Sequence, residues 1–151
     1  MVPISAIKRL KSERGAELIE FALVFPLLLF IILGIVDFGF MFQRMEVVTN
    51  AAREGARIAV LPGYADEDVE ARVEQYLNAG GLATGGGQLA PIIVNPGDIE
   101  ITPGVFVPAQ TVGVTYFHTF MFVQPMMAWF GGTAFTSVPV KGMAVMRDED
   151  P

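Results

Sequence analysis

The chain has 151 residues, 52% of them hydrophobic, and no cysteine. That length holds one small domain plus a membrane segment, and the missing cysteines exclude disulfides, thiolate metal sites and cysteine nucleophiles. The net charge of -6 hides an asymmetry: through Gly15 there are four basic residues and one acid (+3), and beyond it six basic and fifteen acidic residues (-9). An acidic body argues against nucleic acid as a partner, because phosphate binding needs clustered Lys and Arg.

The chain opens on a basic leader that carries Lys8, Arg9, Lys11 and Arg14. Phe21 to Val36 then runs sixteen residues without a charge, which at ~1.5 Å per residue covers roughly 24 Å, short of the ~30 Å hydrocarbon core. Leu18 to Phe42 is long enough but contains Glu20 and Asp37, about 25 Å apart on a helix. That spacing places both near opposite edges of the hydrocarbon. Bases crowd the N-terminal side, and Arg44 is the only one close beyond the other end. The positive-inside rule puts the N-terminus in the cytoplasm and everything after Phe42 outside. A cleaved secretory signal fits poorly, because its apolar region is about 7–15 residues and ends in a small-x-small site. Here the run is longer and passes into Asp37-Phe38-Gly39-Phe40. Pro26 removes one helical donor and predicts a bend that a membrane helix tolerates. Glu20 has two readings. It is an interfacial carboxylate, or it pairs with a positive charge inside an assembly, since an unpaired intramembrane acid is costly. A chain cut after Gly15 would offer such a charge as the new amine on Ala16.

Arg14-Gly15, Glu20 and Phe21 resemble the processing site of type IV prepilins. GAELIEFALVFPLLLFIILGIVDFGFMF, followed by TNAAREGARIAVL, resembles the TadE-like proteins, the minor pilins or pseudopilins of tight-adherence (Flp) pilus systems. The similar block runs from Gly15 to Leu61. Val112 to Tyr116 and Val140 to Glu149 are similar to the closing strands of that family, more loosely. The resemblance implies cleavage between Gly15 and Ala16 by a prepilin peptidase, with recognition of Glu20 and Phe21. It also implies residence in the cytoplasmic (inner) membrane and insertion of the mature helix among other pilins or pilus-assembly proteins. Glu17 departs from the pattern, as a second acid inside the segment meant to enter the membrane.

Beyond the bilayer the helix pattern continues. Phe42, Met45, Val48, Ala52, Gly55, Ala56 and Ala59 recur at spacings of three and four. Ala51, Gly55 and Ala59 form a small-residue stripe that admits close approach, either by the chain's own domain or by another subunit. Arg53, Glu54 and Arg57 read as a solvated face with local ion pairing. Pro62-Gly63 ends the helix. A second helix is predicted over Asp66 to Asn78, with acids in its first turn, Val69, Val73, Tyr76 and Leu77 on one face, and Gly80-Gly81 as its stop. Its acidic face lacks a calcium loop or a histidine partner, so no metal is expected there. Gly85-Gly86-Gly87 is a loop without the Lys-Ser/Thr of a phosphate site.

After Ala90 the pattern turns to short strands: Ile92 to Val94, Ile99 to Thr102, Thr111 to Phe117 and Val138 to Met146. Pro96-Gly97 and Pro103-Gly104 are read as the turns. Tyr116 to Phe130 is strongly apolar, but His118, Gln124 and Pro125 interrupt it and Gly131-Gly132 close it too early for a second span. It reads as a strand plus an apolar loop that fills the head's core or faces the bilayer or a partner. His118, the only histidine, reads as structural.

The fold class is α+β: a long N-terminal transmembrane helix, then a small head with a second helix and an antiparallel sheet of three or four strands. The divisions are a leader over 1–15, the transmembrane and extended helix over 16–61 and an extracytoplasmic domain over 62–151. No catalytic constellation, cofactor or metal site is recognisable, so an enzyme is not expected. The rival to a minor pilin is an uncleaved single-pass protein whose outer domain binds a partner.

Overall fold

The computed structural model describes residues 4–129, 131–132 and 137–148, with the backbone alone for 4–14 and 129. The basic side chains of the leader, Trp129 and Phe130 in the apolar stretch, and Glu149 in the tail lie outside the described side chains. Helix α1, Ile4–Ala59, runs through Pro26. It serves two environments. From Gly15 to Phe42 it is exposed along nearly its whole surface; from Met41 onward it carries a buried face. Val48, Ala51, Ala52, Gly55 and Ala56 are buried, with Ala59 half-buried. Phe42 and Met45, expected on that face, are 60% and 48% exposed. The reason is helix phase: at about 100° per residue Phe42 projects roughly 140° and Met45 roughly 80° around the axis from Gly55, off the covered face, whereas Met41 packs against the core.

After the chain turns at Pro62-Gly63, helix α2, Asp66–Ala79, begins. The Ala65 amide donates to Asp68 Oδ2 at 3.0 Å, and Asp66, Glu67 and Asp68 oppose the positive end of the helix. Val69, Val73 and Leu77 are buried against α1, whereas Tyr76, expected with them, is exposed. The two helices cross at Gly55, where an added Cβ would lie 2.6 Å from Val73 Cγ2.

Three strands form one antiparallel sheet in the order β1-β2-β3: β1 Ile93–Thr102, β2 Val105–His118 and β3 Val138–Arg147. Pro103-Gly104 makes the β1–β2 turn, with Gly104 at φ +82° as the third position of a Pro-Gly turn requires. Pro96-Gly97, read as a turn, lies inside β1 instead, opposite Gln110 and Ala109. An edge strand tolerates this, because proline's missing N–H can face away from the ladder. The two short runs expected there are therefore one strand. The sheet is two-faced. Val112, Val114, Tyr116, His118, Val140, Gly142 and Ala144 point inward, while Met143 and Val145 face out. The inward residues, α1 and α2 share one apolar core.

The apolar stretch after β2 is a short helix, α3, Val123–Trp129, rather than a loop. It packs against α1.

The tightest contact in the head is between β3 and α1. A Cβ at Gly142 would sit 2.6 Å from the Val48 carbonyl oxygen and 2.8 Å from Thr49 Cα, both backbone atoms that cannot swing aside. Gly142→Ala is expected to cost about 1–3 kcal/mol as overpacking, read as a lower unfolding midpoint of the full chain in detergent. Gly97→Ala, with nothing within 4 Å, is the matched control and should leave the midpoint nearly unchanged.

Candidate membrane-spanning and processing segment

Among the described residues, α1 is the one helix long and apolar enough to cross a bilayer, with a mean hydropathy of 2.8 in its best window and none of that window buried. Leu18, Phe21, Pro26 and Val36 all lie exposed on this surface. Burying such a stretch in lipid is favourable at roughly 25 cal/mol per Å² of apolar surface. Phe21 and Phe25 stack one turn apart, ring centroids 5.3 Å. Glu17 and Glu20 are exposed, and neither forms an ion pair among the described residues. Gly15 and Ala16 lie within the helical run. A Cβ at Gly15 would meet nothing within 4 Å, so packing gives no reason for glycine at that position.

Ala51 and Gly55, the core of the small-residue stripe, are covered by the chain's own α2 and sheet. The face of α1 left open carries Phe42, Met45, Glu46, Thr49, Asn50 and Arg53, which line a shallow groove.

Where the span meets the head, α1 presents two polar groups. Asp37 is 1% exposed. Its Oδ1 accepts the Met121 amide at 3.1 Å, and its Oδ2 accepts the amides of Phe122 and Val123 at 2.8 and 2.7 Å. These amides open α3, which has no helical acceptors for them, and a carboxylate is the strongest available substitute. Two turns on, Arg44 Nη1 donates to His118 Nδ1 at 2.7 Å. Arginine cannot accept, so Nδ1 is the unprotonated nitrogen and the neutral ring carries its hydrogen on Nε2. Nε2 is buried, without a partner among the described residues. The ring stands edge-on to Phe120 at 5.0 Å, and Phe120 in turn to Phe38 at 5.7 Å.

Further out, Glu54 links α1 to α2. It accepts Arg57 Nη2 at 2.6 Å and Arg72 Nη2 at 2.7 Å. The Arg57 and Arg72 hydrogen bonds hold its carboxyl down to about 2.

Residues 15–57 match the family model described as TadE-like protein. The TadE-like segment begins at Gly15, covers the whole span and ends just before the close of α1. It includes Asp37, Arg44 and Glu54, whereas their partners in α2, β2 and α3 lie beyond it. Neither the curated proteins nor the solved structures give a match. One apolar helix near the N-terminus, within a TadE-like segment, supports a single-pass membrane protein.

Asp37 was legible only as a carboxylate at the bilayer's edge. Its partners are backbone amides, which leave no residue signature. The available signal for α3 was its stop at Gly131-Gly132. His118 was legible as structural but not its pairing with Arg44, which joins residues 74 apart.

Burial, reinforced by the Arg44 charge and opposed by that of Asp37, lowers the His118 pKa. A free histidine titrates near 6.5, so below about that pH the unfolded chain binds a proton that the folded chain does not. Stability of the head should therefore be full above pH ~6.5 and fall as the pH drops below it, down toward the lowered folded value. The Glu54 contribution is lost separately, below the ordinary carboxylate range of ~4.3. His118→Phe is expected to flatten the upper window only, in unfolding midpoints of the full chain in detergent measured between neutral and mildly acid pH.

Proposed function

We propose that this chain is a minor pilin or pseudopilin, a structural component required for assembly of a tight-adherence (Flp) type IV pilus. A prepilin peptidase would process it, and it carries out no catalysis of its own. The observation that carries the reading is that the TadE-like match begins at Gly15, at the junction between basic leader and exposed apolar helix. The match supports association with a tight-adherence pilus; the cut and the place in the assembly are inferred from the residues.

The mechanism is physical. The leader orients the helix with its N-terminus in the cytoplasm, the peptidase removes it, and the apolar helix exchanges lipid for neighbouring helices. Glycine suits the cut position because it weakens a helix by about 1 kcal/mol relative to alanine. The chain must leave helical form there to enter a protease, and no packing contact resists the opening. Removal of the leader takes the charge from -6 to -9. It also leaves the Ala16 amine next to lipid, and Glu20 of a neighbouring subunit offsets that charge. Because Ala51 and Gly55 are occupied by the chain's own head, neighbours outside the bilayer would meet the open face from Phe42 to Arg53.

N-terminal sequencing of the chain isolated from membranes should give a start at Ala16. An intact Met1 would leave an uncleaved single-pass anchor as the better reading. Gly15→Ala is expected to slow processing by about tenfold or more while membrane insertion is unchanged, because the added helix propensity and the methyl both oppose the cut. Processing at the normal rate would count against the site. Glu20→Ala should insert and be processed, yet reduce recovery of the chain in sheared pili; unchanged recovery would remove the amine-pairing role.

A further inference from the structure

We propose that α3 lies within the hydrocarbon of the bilayer beside α1, entering from the side of the head and reaching about its middle, and that the groove between the two helices is filled by a lipid acyl chain. The proposal rests on α1 spanning a bilayer, and does not depend on processing or on a pilus.

Depth is the first argument. Val123 at the start of α3 is 4.0 Å from the Cβ position of Gly34. Met127, one turn later, lines a cavity with Ala22, Leu23, Pro26, Leu27 and Phe30. The short helix thus runs back along α1 toward its N-terminus. It reaches the height of residues that lie inside the Leu18 to Phe42 span, where α1 is exposed to whatever surrounds it.

The second argument is the state of the backbone at the two ends of α3. In hydrocarbon no water satisfies free amides and carbonyls, so an element that enters lipid must satisfy them itself. At the N-terminal end Asp37 takes the amides of residues 121, 122 and 123, and Pro125 has no N–H to satisfy. At the C-terminal end the Gly132 amide returns to the Met127 carbonyl at 3.0 Å and the Gly131 amide to Ala128 at 3.2 Å. Gly131 adopts φ +74°, which makes this a Schellman closure. Both closures also serve helices in water; beside the span they leave α3 fit for hydrocarbon. The side chains agree: from Thr119 to Gly132 there is no charged residue, and Met121 and Ala128 face outward.

The groove holds about 490 Å³ and is lined by apolar side chains. Water would find no hydrogen-bonding partners in such a lining. The groove is continuous with the lipid-facing surface of α1, so an acyl chain is the occupant its surroundings supply.

The absence of cysteine allows single nitroxide labels on the full chain in phosphatidylcholine vesicles, with oxygen and a polar nickel chelate as collision probes. Leu28→Cys reports on the span, Ala128→Cys and Met121→Cys on the deep and shallow ends of the α3 region, and Met143→Cys on the outer face of the sheet. The expected order of oxygen preference is Leu28 and Ala128 high, Met121 lower, Met143 lowest. The ratio at Ala128 should exceed that at Met143 roughly tenfold or more, because hydrocarbon excludes the polar probe. Oxygen preference at Leu28 with chelate access at Ala128 would overturn the proposal and leave the span intact. Chelate access at Leu28 itself would instead remove the spanning reading, and the proposal with it. A Leu27→Cys label tests the occupant. Its spectrum should be the same alone and diluted with unlabelled chain; dipolar broadening that dilution removes would mean that a second copy's helix fills the groove, and would overturn the acyl chain.

Discussion

A single helix, α1, has to be at home in hydrocarbon over one half and form the floor of a water-facing head over the other, and the rest of the structure answers to that demand. From Phe21 to Phe42 nearly every surface position is apolar and exposed, which a bilayer or a bundle of similar helices can accept. Above it the helix narrows to alanine, valine and glycine on one face. There the sheet presses close enough for Gly142 to face the Val48 carbonyl. Among the described residues the head has no helix of comparable length to pack upon. Its core residues on α2, β2 and β3 all close over this one face of α1, so position in the membrane and integrity of the head are coupled through one element.

The boundary between the two halves is built from polar groups, of which Asp37 and His118 are buried. Burying a carboxylate is costly unless hydrogen bonds replace its hydration; Asp37 receives three from backbone amides. Arg44 and His118 repeat the device one layer further out. These contacts join α1 to the end of β2 and the segment that follows it, a long way off in sequence, and they fix where the head sits on the helix. A polar junction at this level is also poorly soluble in hydrocarbon, so it resists sliding of the head into the membrane.

Much of this was legible in the sequence because its causes are local. Apolar length marks the candidate span, the acids at Asp66 to Asp68 and the glycines at Gly80-Gly81 bracket α2, and Pro103-Gly104 makes its turn. What was misread depended on neighbours. Pro96-Gly97 has the composition of a turn, yet an edge strand accommodates it because one side of its ladder is free. Phe42 and Met45 recur at spacings of three and four, yet they project to one side of the face that the head covers. The stretch after His118 is too short and too apolar to announce a helix, and its cap comes from a carboxylate on another element. At the N-terminal end the family resemblance was legible from Gly15, where the TadE-like match also starts. The junction that holds the head was not legible, since it is made of amides and of pairings across the fold.

Span and head are coupled only if α1 is continuous from the bilayer into the head. The distance between spin labels at Leu28→Cys and Asn50→Cys, measured by pulsed dipolar spectroscopy in the full chain in vesicles, tests this most directly. A continuous helix at about 1.5 Å per residue gives a narrow distribution near roughly 33 Å. A broad distribution or a markedly shorter distance would mean that the helix breaks between span and head, and would contradict the account.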